Sequence, residues 1–368
     1  MKKLLLGIAA VCLAGFTFAQ DAPLWMRHSV ISPDGTTIAF TYKGDIYTVP
    51  VAGGRAMQIT TNPAYDTAPV WSPDSKRIAF ASDRMGSLDV YIVAKDGGEP
   101  RRLTTHSGSE TPLAFTDAGH VLFSAGIMPS AEAVVFPSNG QFNQVYRVSV
   151  EGGRPTMISS MPMECISINK EGAMLYQDKK GYEDYWRKHH VSPIARDIWM
   201  YTPGKEPQYR QLTTFGGEDR EPVWAPDGKT FYYLSEENGS FNIYRRTPGD
   251  AKAVQLTHYT KNPVRYLSAA TDGRLCYGFD GEIYTLLPGG EAQKVNISIV
   301  SDRNDKDIIR QIKSSGATEM AVSPDGKEVA FVLRGDVYVT SVEYKTTKQI
   351  TNTPCQERTV DFAPDRRT

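Results

Sequence analysis

A short turn phrase recurs along the chain and restricts its fold more than any other feature. In its strongest form the phrase is Ser-Pro-Asp-Gly or Ala-Pro-Asp-Gly, at residues 32–35, 225–228 and 323–326, with shorter copies at 72–74 and 363–365. Degenerate copies occupy residues 116–119, 169–172 and 271–273. The acidic positions of successive copies lie 40 to 56 residues apart, a period typical of propeller blades and longer than that of leucine-rich or ankyrin repeats.

Each repeat has the same internal order of short apolar runs. One run follows the turn, as at 38–40, and a second contains an acidic or amide residue, a β-branched residue and an aromatic, as at 45–47. A third run ends in Leu-Thr or Ile-Thr, as at 59–60, and a fourth leads into the next turn, as at 69–71. Runs of this composition between Gly, Pro and Asp predict a four-stranded antiparallel blade, so the chain is predicted to be all-β.

The repeated residues have structural interpretations. One blade cannot bury both of its faces, so neighbouring blades should stack around an axis. We therefore interpret the repeated aromatic residues as core between the blades. The repeated Asp of the turn phrase is interpreted as a cap of its own turn rather than as a metal ligand.

The number of blades leaves two architectures open. The first is a six-bladed β-propeller over residues 21–310, followed by the first blade of a second propeller over 311–368; the alternative is one seven-bladed propeller. The charged run at 301–307 interrupts the repeat as a connector would, and a strong repeat returns from Ala321, which favours six blades. The chain stops at Arg366-Arg367-Thr368, where the next apolar strand should begin. We therefore expect this sequence to be the front part of a longer protein.

The first residues predict export. Lys2 and Lys3 precede an apolar run from Leu4 to Phe18, and small residues mark a cleavage site, so residues 1–19 match a secretory signal peptide. The run is short for a membrane span. No second stretch approaches that length, and we expect a periplasmic protein without a membrane partner.

Composition and motifs exclude several classes of function. The 41 basic and 42 acidic residues are interspersed and give a net charge of −1, which is no footprint for nucleic acid. No Gly-x-Ser-x-Gly nucleophile turn is present. His189 and His190 are adjacent, and neighbours on a strand point to opposite faces, so they do not readily share a metal ion. The sequence predicts no catalytic residue, no metal and no cofactor in this chain.

The long fourth repeat contains the best candidate for recognition. It inserts aromatic and basic residues between two strands: Tyr182, Tyr185, Trp186, Arg187, His189 and His190. Loops on a rigid scaffold commonly carry recognition, and aromatic residues and arginine dominate binding hot spots. These residues are predicted to bind peptides or a partner protein. The alternative is that Trp186 packs beneath its own loop and fastens it to the ring.

Several segments resemble a known family. Residues 181–199 with 217–224 resemble the N-terminal propeller of secreted tricorn-type serine peptidases of Bacteroidetes, and residues 333–344 with 348–354 are similar to the start of their second propeller. The Pro-Asp-Gly repeat alone is less specific, because the Tol-Pal periplasmic propeller and prolyl-oligopeptidase-type propellers share it. The resemblance implies a modular peptidase with a six-bladed propeller, a seven-bladed propeller, a PDZ domain and a catalytic core with a Ser-His-Ser-Glu arrangement.

Two functions from different classes follow. The resemblance implies a non-catalytic propeller that gates or binds peptides and supports assembly, while proteolysis resides in a C-terminal part that this sequence does not include. Its partners would be peptides and the remaining domains of the parent peptidase, and a homo-oligomer stays open. The alternative is a stand-alone periplasmic propeller that binds a protein partner, similar to the Tol-Pal component.

Overall fold

The computed structural model describes residues 23–126, 142–181, 191–300 and 313–365. These residues form strands and turns, and the strands assemble into seven sheets. The chain divides into two compact units, of which the first ends at Val300 and contains six of the sheets. The prediction of an all-β fold built from four-stranded antiparallel sheets is confirmed.

The strands follow the chain sheet by sheet. The first three sheets contain β1 (Arg27–Ile31), β2 (Thr37–Tyr42), β3 (Asp45–Pro50) and β4 (Gly54–Gln58); β5 (Asp66–Trp71), β6 (Arg77–Ser82), β7 (Asp89–Ala94) and β8 (Arg101–Arg102); and β9 (Glu110–Asp117), β10 (His120–Ala125), β11 (Gln144–Ser149) and β12 (Thr156–Ser159). The next three contain β13 (Met163–Ile168), β14 (Met174–Asp178), β15 (Ile198–Thr202) and β16 (Gln208–Gln211); β17 (Asp219–Trp224), β18 (Phe231–Ser235), β19 (Asn242–Arg246) and β20 (Val254–Gln255); and β21 (Arg265–Ala269), β22 (Leu275–Phe279), β23 (Glu282–Leu286) and β24 (Gln293–Lys294). Strand β25 (Ile297–Ile299) ends the first unit, and β26 (Ala317–Val322), β27 (Glu328–Leu333), β28 (Asp336–Ser341) and β29 (Thr347–Gln349) form the sheet of the second.

The turn phrase joins the first two strands of each sheet, and its Asp acts as predicted. The Oδ1 of Asp34 accepts a hydrogen bond from the backbone N–H of Thr36 at 3.0 Å, and Asp227 accepts one from Lys229 at 2.9 Å. The following Gly35 has a φ of 71°, a conformation that favours glycine. The interpretation of this Asp as a turn cap is confirmed.

The six sheets of the first unit close into a ring. The first strand of each sheet contacts the first strand of the next, and β21 of the sixth sheet contacts β1 of the first. One apolar cluster joins these two sheets, with Ile31 and Phe40 on one side and Cys276 and Ile283 on the other. The first strands therefore form the inner wall of a six-bladed propeller.

The repeated aromatic residues fill the seams between sheets, as predicted. The Phe of the second strand is fully buried in three successive sheets, and the Tyr of the third strand is almost so: Phe40, Phe80, Phe123, Tyr47, Tyr91 and Tyr146. A stacked pair forms within each of these three sheets, such as Phe80 with Tyr91 at 5.9 Å between ring centroids. Each such ring contributes on the order of a few kcal/mol by removal of apolar area from water.

The threonine of the Leu-Thr phrase has a backbone partner. Its hydroxyl oxygen accepts the N–H of the β-branched residue in the third strand of its own sheet, over 2.8 to 2.9 Å in five sheets; the pairs are Thr60 with Ile46, Thr104 with Val90, Thr213 with Ile198, Thr257 with Ile243, and Thr351 with Val337. This bond satisfies a buried donor where the short fourth strand has ended.

Strand β25 was not predicted from the sequence. It adds to the outer edge of the first sheet in parallel with β4, with Ile297 opposite Gly54 and Ile299 opposite Ala56. The chain thus returns from the sixth sheet to the first. Both isoleucines are less than a tenth exposed, so the closing strand also covers part of the core.

The sheet of the second unit is less buried than those of the first. Phe331 and Tyr338 stack at 5.7 Å between centroids, as in the other sheets, yet both are only half-buried. Met320 and Val322 of β26 are 69% and 53% exposed. Its repeat motifs are thus formed although much of its apolar surface contacts water, with Ala330 and Val332 as buried exceptions.

Several sequence predictions fall outside the described residues. They are the signal peptide at residues 1–19 and the six candidate recognition residues Tyr182, Tyr185, Trp186, Arg187, His189 and His190. Across the residues that are described, nothing helical reaches the length and apolarity that a membrane crossing would need.

Candidate functional site: the inner wall of the ring

The inner wall carries a recurrent backbone irregularity. In five of the six sheets the first strand has a β-bulge whose non-glycine residue adopts a φ of 50° to 58°: His28, Ala68, Cys165, Glu221 and Tyr266. In the third sheet Pro112 occupies the corresponding position, beside a register shift, and its pyrrolidine ring fixes φ at a negative value. Bulges re-aim side chains, and positive φ is uncommon for such residues. We name these six residues the bulge ring.

The bulge ring has two chemically different halves. In the second and third sheets its members are Ala68, which precedes Pro69, and Pro112. In the fourth to sixth sheets they are Cys165, Glu221 and Tyr266. The wall is therefore apolar on one side and polar or charged on the other.

A buried group of ion pairs supports the charged half. Arg196 Nε lies 3.2 Å from Glu164 Oε2, and its Nη1 lies 3.8 Å from Glu218 Oε1. Arg220 Nε donates to Glu218 Oε2 at 2.9 Å, and its guanidinium lies over the ring of Phe241 at 5.3 Å. The side chains of both arginines and of Glu218 are at most 6% exposed. Because both signs are present, these charges compensate one another within the wall.

This group controls the ionisation of its neighbours. Burial acts to raise the pKa of Glu164, but Arg196, the Gln177 amide and Lys179 outweigh it and hold the pKa below its usual value. For Cys165, burial and then the carboxylates of Glu221 and Glu164 raise the pKa well above the usual value. The residue as a whole is exposed, but protein surrounds its thiol, which therefore stays protonated at neutral pH. A protonated thiol is a poor nucleophile, so the site does not suit cysteine catalysis.

Glu221 ties three consecutive sheets together. Its backbone N–H donates to the side chain of Gln177 at 3.0 Å, and its Oε2 accepts the backbone N–H of Leu267 at 2.8 Å. Next along the ring, His28 and Tyr266 lie 4.9 Å apart between ring centroids. Burial, with a contribution from Arg27, lowers the pKa of His28 to about 4, so the imidazole is neutral at physiological pH.

The described flanks of the fourth-sheet insertion are fixed beside this charged half. Lys180 Nζ donates to the backbone oxygen of Ala195 at 2.6 Å and pairs with Asp197 Oδ2 at 2.5 Å. Asp178 Oδ2 accepts the indole N–H of Trp199 at 3.0 Å. The insertion joins the second and third strands, so its ends lie on the face of the ring where each first strand begins.

The propeller matches a known family. Residues 23–292 match the family described as the tricorn protease N-terminal beta propeller domain, which is most of the chain. The chain belongs to this family.

Relatives of this tricorn-type propeller are much longer proteins. "Tricorn protease homolog 1" of Streptomyces coelicolor is 26% identical over 289 residues, which are 77% of this chain and 26% of that protein. "Tricorn protease" of Thermoplasma acidophilum is 25% identical over 333 residues, 87% of this chain and 29% of the relative. The crystal structure of the tricorn protease superposes with a TM-score of 0.65 and 18% identity, covering 91% of this chain and 32% of that one.

Sequence reasoning missed the charged half of this tricorn-type ring. The run from Glu218 to Glu221 contributed only to the family resemblance, because a run of charges usually marks a solvated face. Its partners, Glu164 and Arg196, belong to the neighbouring sheet and are distant in sequence. One signal was present. The charged run directly precedes a short apolar run and a turn phrase. In every other repeat the innermost strand occupies that position.

Among the described residues, no group of three or more His, Cys, Asp or Glu side chains is arranged to hold a metal ion. The ion pairs of Arg196 and Arg220 with Glu164 and Glu218 lie within the inner wall of the ring.

Proposed function

We propose that this chain is the non-catalytic N-terminal propeller of a tricorn-like serine peptidase. Its ring admits or binds peptides, and proteolysis resides in another part of the protein. The observation that supports this proposal most directly is the bulge ring, with an apolar half and a charged half on one inner wall. An extended peptide presents a uniform backbone with varied side chains, and a mixed wall suits such a ligand.

Family membership supports the modular part of the proposal. The chain spans 26% and 29% of the length of the two relatives named above. The remaining domains of the parent peptidase would be the partners of this propeller and would supply the nucleophile. The chemistry of the wall agrees, because Cys165 is held as a thiol and the arginines are paired.

The proposal also assigns the residues that recognise peptides and the compartment of the protein. The six residues Tyr182, Tyr185, Trp186, Arg187, His189 and His190 would meet peptides at the mouth of the ring, since the insertion's described flanks lie on the face of the ring where each first strand begins. The charged start and apolar run of residues 1–19 support export to the periplasm.

A bulky substitution in the bulge ring tests whether peptides pass through the ring. In the full-length product of the gene, Ala68→Trp replaces a small side chain on the apolar half and does not touch the ion pairs. Both residues carry a Cβ, so the backbone at a φ of 51° tolerates the exchange equally. We expect hydrolysis of peptides of ten or more residues to fall at least fivefold.

Ala68→Ser is the matched control, and its rate should remain close to that of the unaltered protein. This chain alone should hydrolyse nothing. A folded Ala68→Trp protein with unchanged hydrolysis of long peptides would refute passage through this ring, and hydrolysis by neither form would favour a protein-binding propeller instead.

A further inference from the structure

A second site lies on the rim of the ring, beside His28 of the bulge ring. It is a cleft of about 380 Å³ on the first sheet, at the turn between β2 and β3. Its walls include Leu24, Trp25, Arg27, Tyr42, Lys43 and Tyr65. All of these residues belong to the first unit, and none takes part in the ion-pair group.

The backbone around the cleft is fixed before any ligand binds. The N–H of Met26, next to Trp25, donates to the backbone oxygen of Gly281 at 3.1 Å. A Cβ on Gly281 would lie 3.0 Å from the nitrogen of Trp25, so this approach requires glycine. On the opposite wall, the N–H of Tyr65 donates to Asp83 Oδ1 at 2.7 Å. A preorganised cleft loses little entropy when it binds.

The cleft exposes large apolar side chains to water. Trp25 is 71% exposed, Leu24 52% and Tyr65 45%. Single exposed apolar residues are ordinary, whereas several in one concave place mark a binding surface. Tryptophan and tyrosine are also the residues most enriched among binding hot spots.

The charge of the cleft selects the ligand. Arg27 and Lys43 line it, and no acidic side chain of the described residues does. Lys43 Nζ lies 5.5 Å from the centroid of the Tyr42 ring, so the ammonium group is held at the edge of the apolar surface. A complementary ligand would present a carboxylate next to a large apolar group.

We propose that this cleft binds an internal, extended peptide segment in which a large aliphatic or aromatic residue adjoins an Asp or Glu side chain. The apolar residue packs against Trp25 and Tyr65, and the carboxylate pairs with Lys43. The exposed rings leave the cleft open, so the bound chain can continue in both directions. The inference rests on the proposed function only in taking peptides as ligands.

Blocked peptides give a direct test. The probe is an N-acetylated, C-amidated peptide with a central Leu-Glu pair and a fluorescent label, titrated against the complete chain by fluorescence anisotropy. Its termini carry no charge, so only the side-chain carboxylate can pair with Lys43. We expect Trp25→Ala and Lys43→Met each to weaken binding at least fivefold, and a Leu-Gln peptide to bind the unaltered protein at least fivefold less tightly.

A contact between Lys43 and the peptide's glutamate predicts a specific pattern of affinities. If Lys43 contacts the glutamate, Lys43→Met should weaken the Leu-Glu peptide but leave the Leu-Gln peptide nearly unchanged. Lys95→Met removes another exposed lysine outside the cleft and should bind the Leu-Glu peptide normally. Thermal midpoints of all variants establish that each is folded.

Equal binding of both peptides, equal losses in Lys95→Met and Lys43→Met, or binding only with a free C-terminal carboxylate would each overturn the proposal. These outcomes are separate from those of the Ala68→Trp experiment, which measures hydrolysis through the ring. Peptide binding at the cleft can therefore be refuted while peptide passage through the ring is supported, and the reverse is also possible.

Discussion

Glu110 is a buried carboxyl group between two sheets, and its ionisation makes the stability of the ring depend on pH. It begins β9, is 1% exposed and lies beside Asp89 of the preceding sheet. Asp89 is itself paired with Arg102 at 2.9 Å. Burial, and then the charge of Asp89, raise the pKa of Glu110 from an ordinary 4.5 to about 7. At neutral pH this seam therefore contains an acid that is only partly ionised.

The raised pKa predicts the direction of the pH dependence. Between about pH 4.5 and 7 the native state keeps a proton on Glu110 that the unfolded chain has released, so the unfolding free energy falls as the pH rises through this window. Glu110→Gln stays neutral and should lose this fall. At pH 8 we expect the variant to be more stable than the unaltered protein by about 1–3 kcal/mol after allowance for solvent screening.

Urea unfolding at pH 5 and pH 8 measures this difference, which should nearly vanish at pH 5. Glu99→Gln is the control, because Glu99 is exposed and its replacement should give the same small change at both values. Asp219 occupies the same place in the fifth sheet and also has a pKa raised to about 7, mainly by burial. It affects both proteins equally. A Glu110→Gln protein that is less stable at pH 8 would contradict the argument.

One glycine in the turn between β3 and β4 lies against the strand that closes the ring. Gly53 has a φ of 86°, and a Cβ there would lie 2.5 Å from the backbone oxygen of Asn296, which leads into β25. The next N–H, that of Gly54, donates to that same oxygen at 2.8 Å. The Gly-Gly turn of the first sheet therefore has a role that the same turn in other sheets does not have.

A comparison of Gly53→Ala with Gly97→Ala separates the cost of alanine at positive φ from the cost of displacing the closing strand. Gly97 has a φ of 91°, and nothing lies within 4 Å of the Cβ it would gain. Both variants carry the cost of an alanine at positive φ, about 1 kcal/mol or more. Only Gly53→Ala also displaces the closing strand, which should cost a further 1–3 kcal/mol, since overpacking is destabilising by that amount.

Thermal unfolding of both variants checks this expectation, with Gly53→Ala melting at the lower temperature. Equal midpoints would show that β25 does not depend on the close approach at Gly53. Hydrogen exchange of the amides in β25 adds an independent measurement, because they should lose protection in Gly53→Ala alone.

These examples show which elements the sequence could predict. The turn Asp, the paired Phe and Tyr and the Leu-Thr phrase act within one repeat, so their period in the sequence revealed them. The closing strand and the Arg196–Glu218 pair join parts of the chain that the repeat does not relate. A three-residue strand in a parallel pairing has too few residues to show a pattern. The bulge ring was equally hidden, because five of its six residues share a backbone conformation and no side-chain chemistry.

The seven sheets of the described residues share the same motifs but differ in burial. In β6 and β7, Phe80 and Tyr91 are 0% and 4% exposed. The equivalent pair in β27 and β28, Phe331 and Tyr338, is only half-buried, although the rings stack at almost the same distance. The same motif thus forms its strands in both units, and the surrounding sheets determine how much apolar surface is removed from water.

Local stability should follow that burial. A segment with few buried apolar contacts opens with a small free energy, and its amides exchange with solvent accordingly. We therefore expect the amides of β27 to exchange at least tenfold faster than those of β6, in a mass-spectrometric hydrogen-exchange experiment on the complete chain at neutral pH. Both strands are the second of four in their sheets and both have a ladder on each side. Hydrogen bonding within the sheet is therefore matched, and equal protection would show that burial of the aromatic pair does not set the stability of a blade.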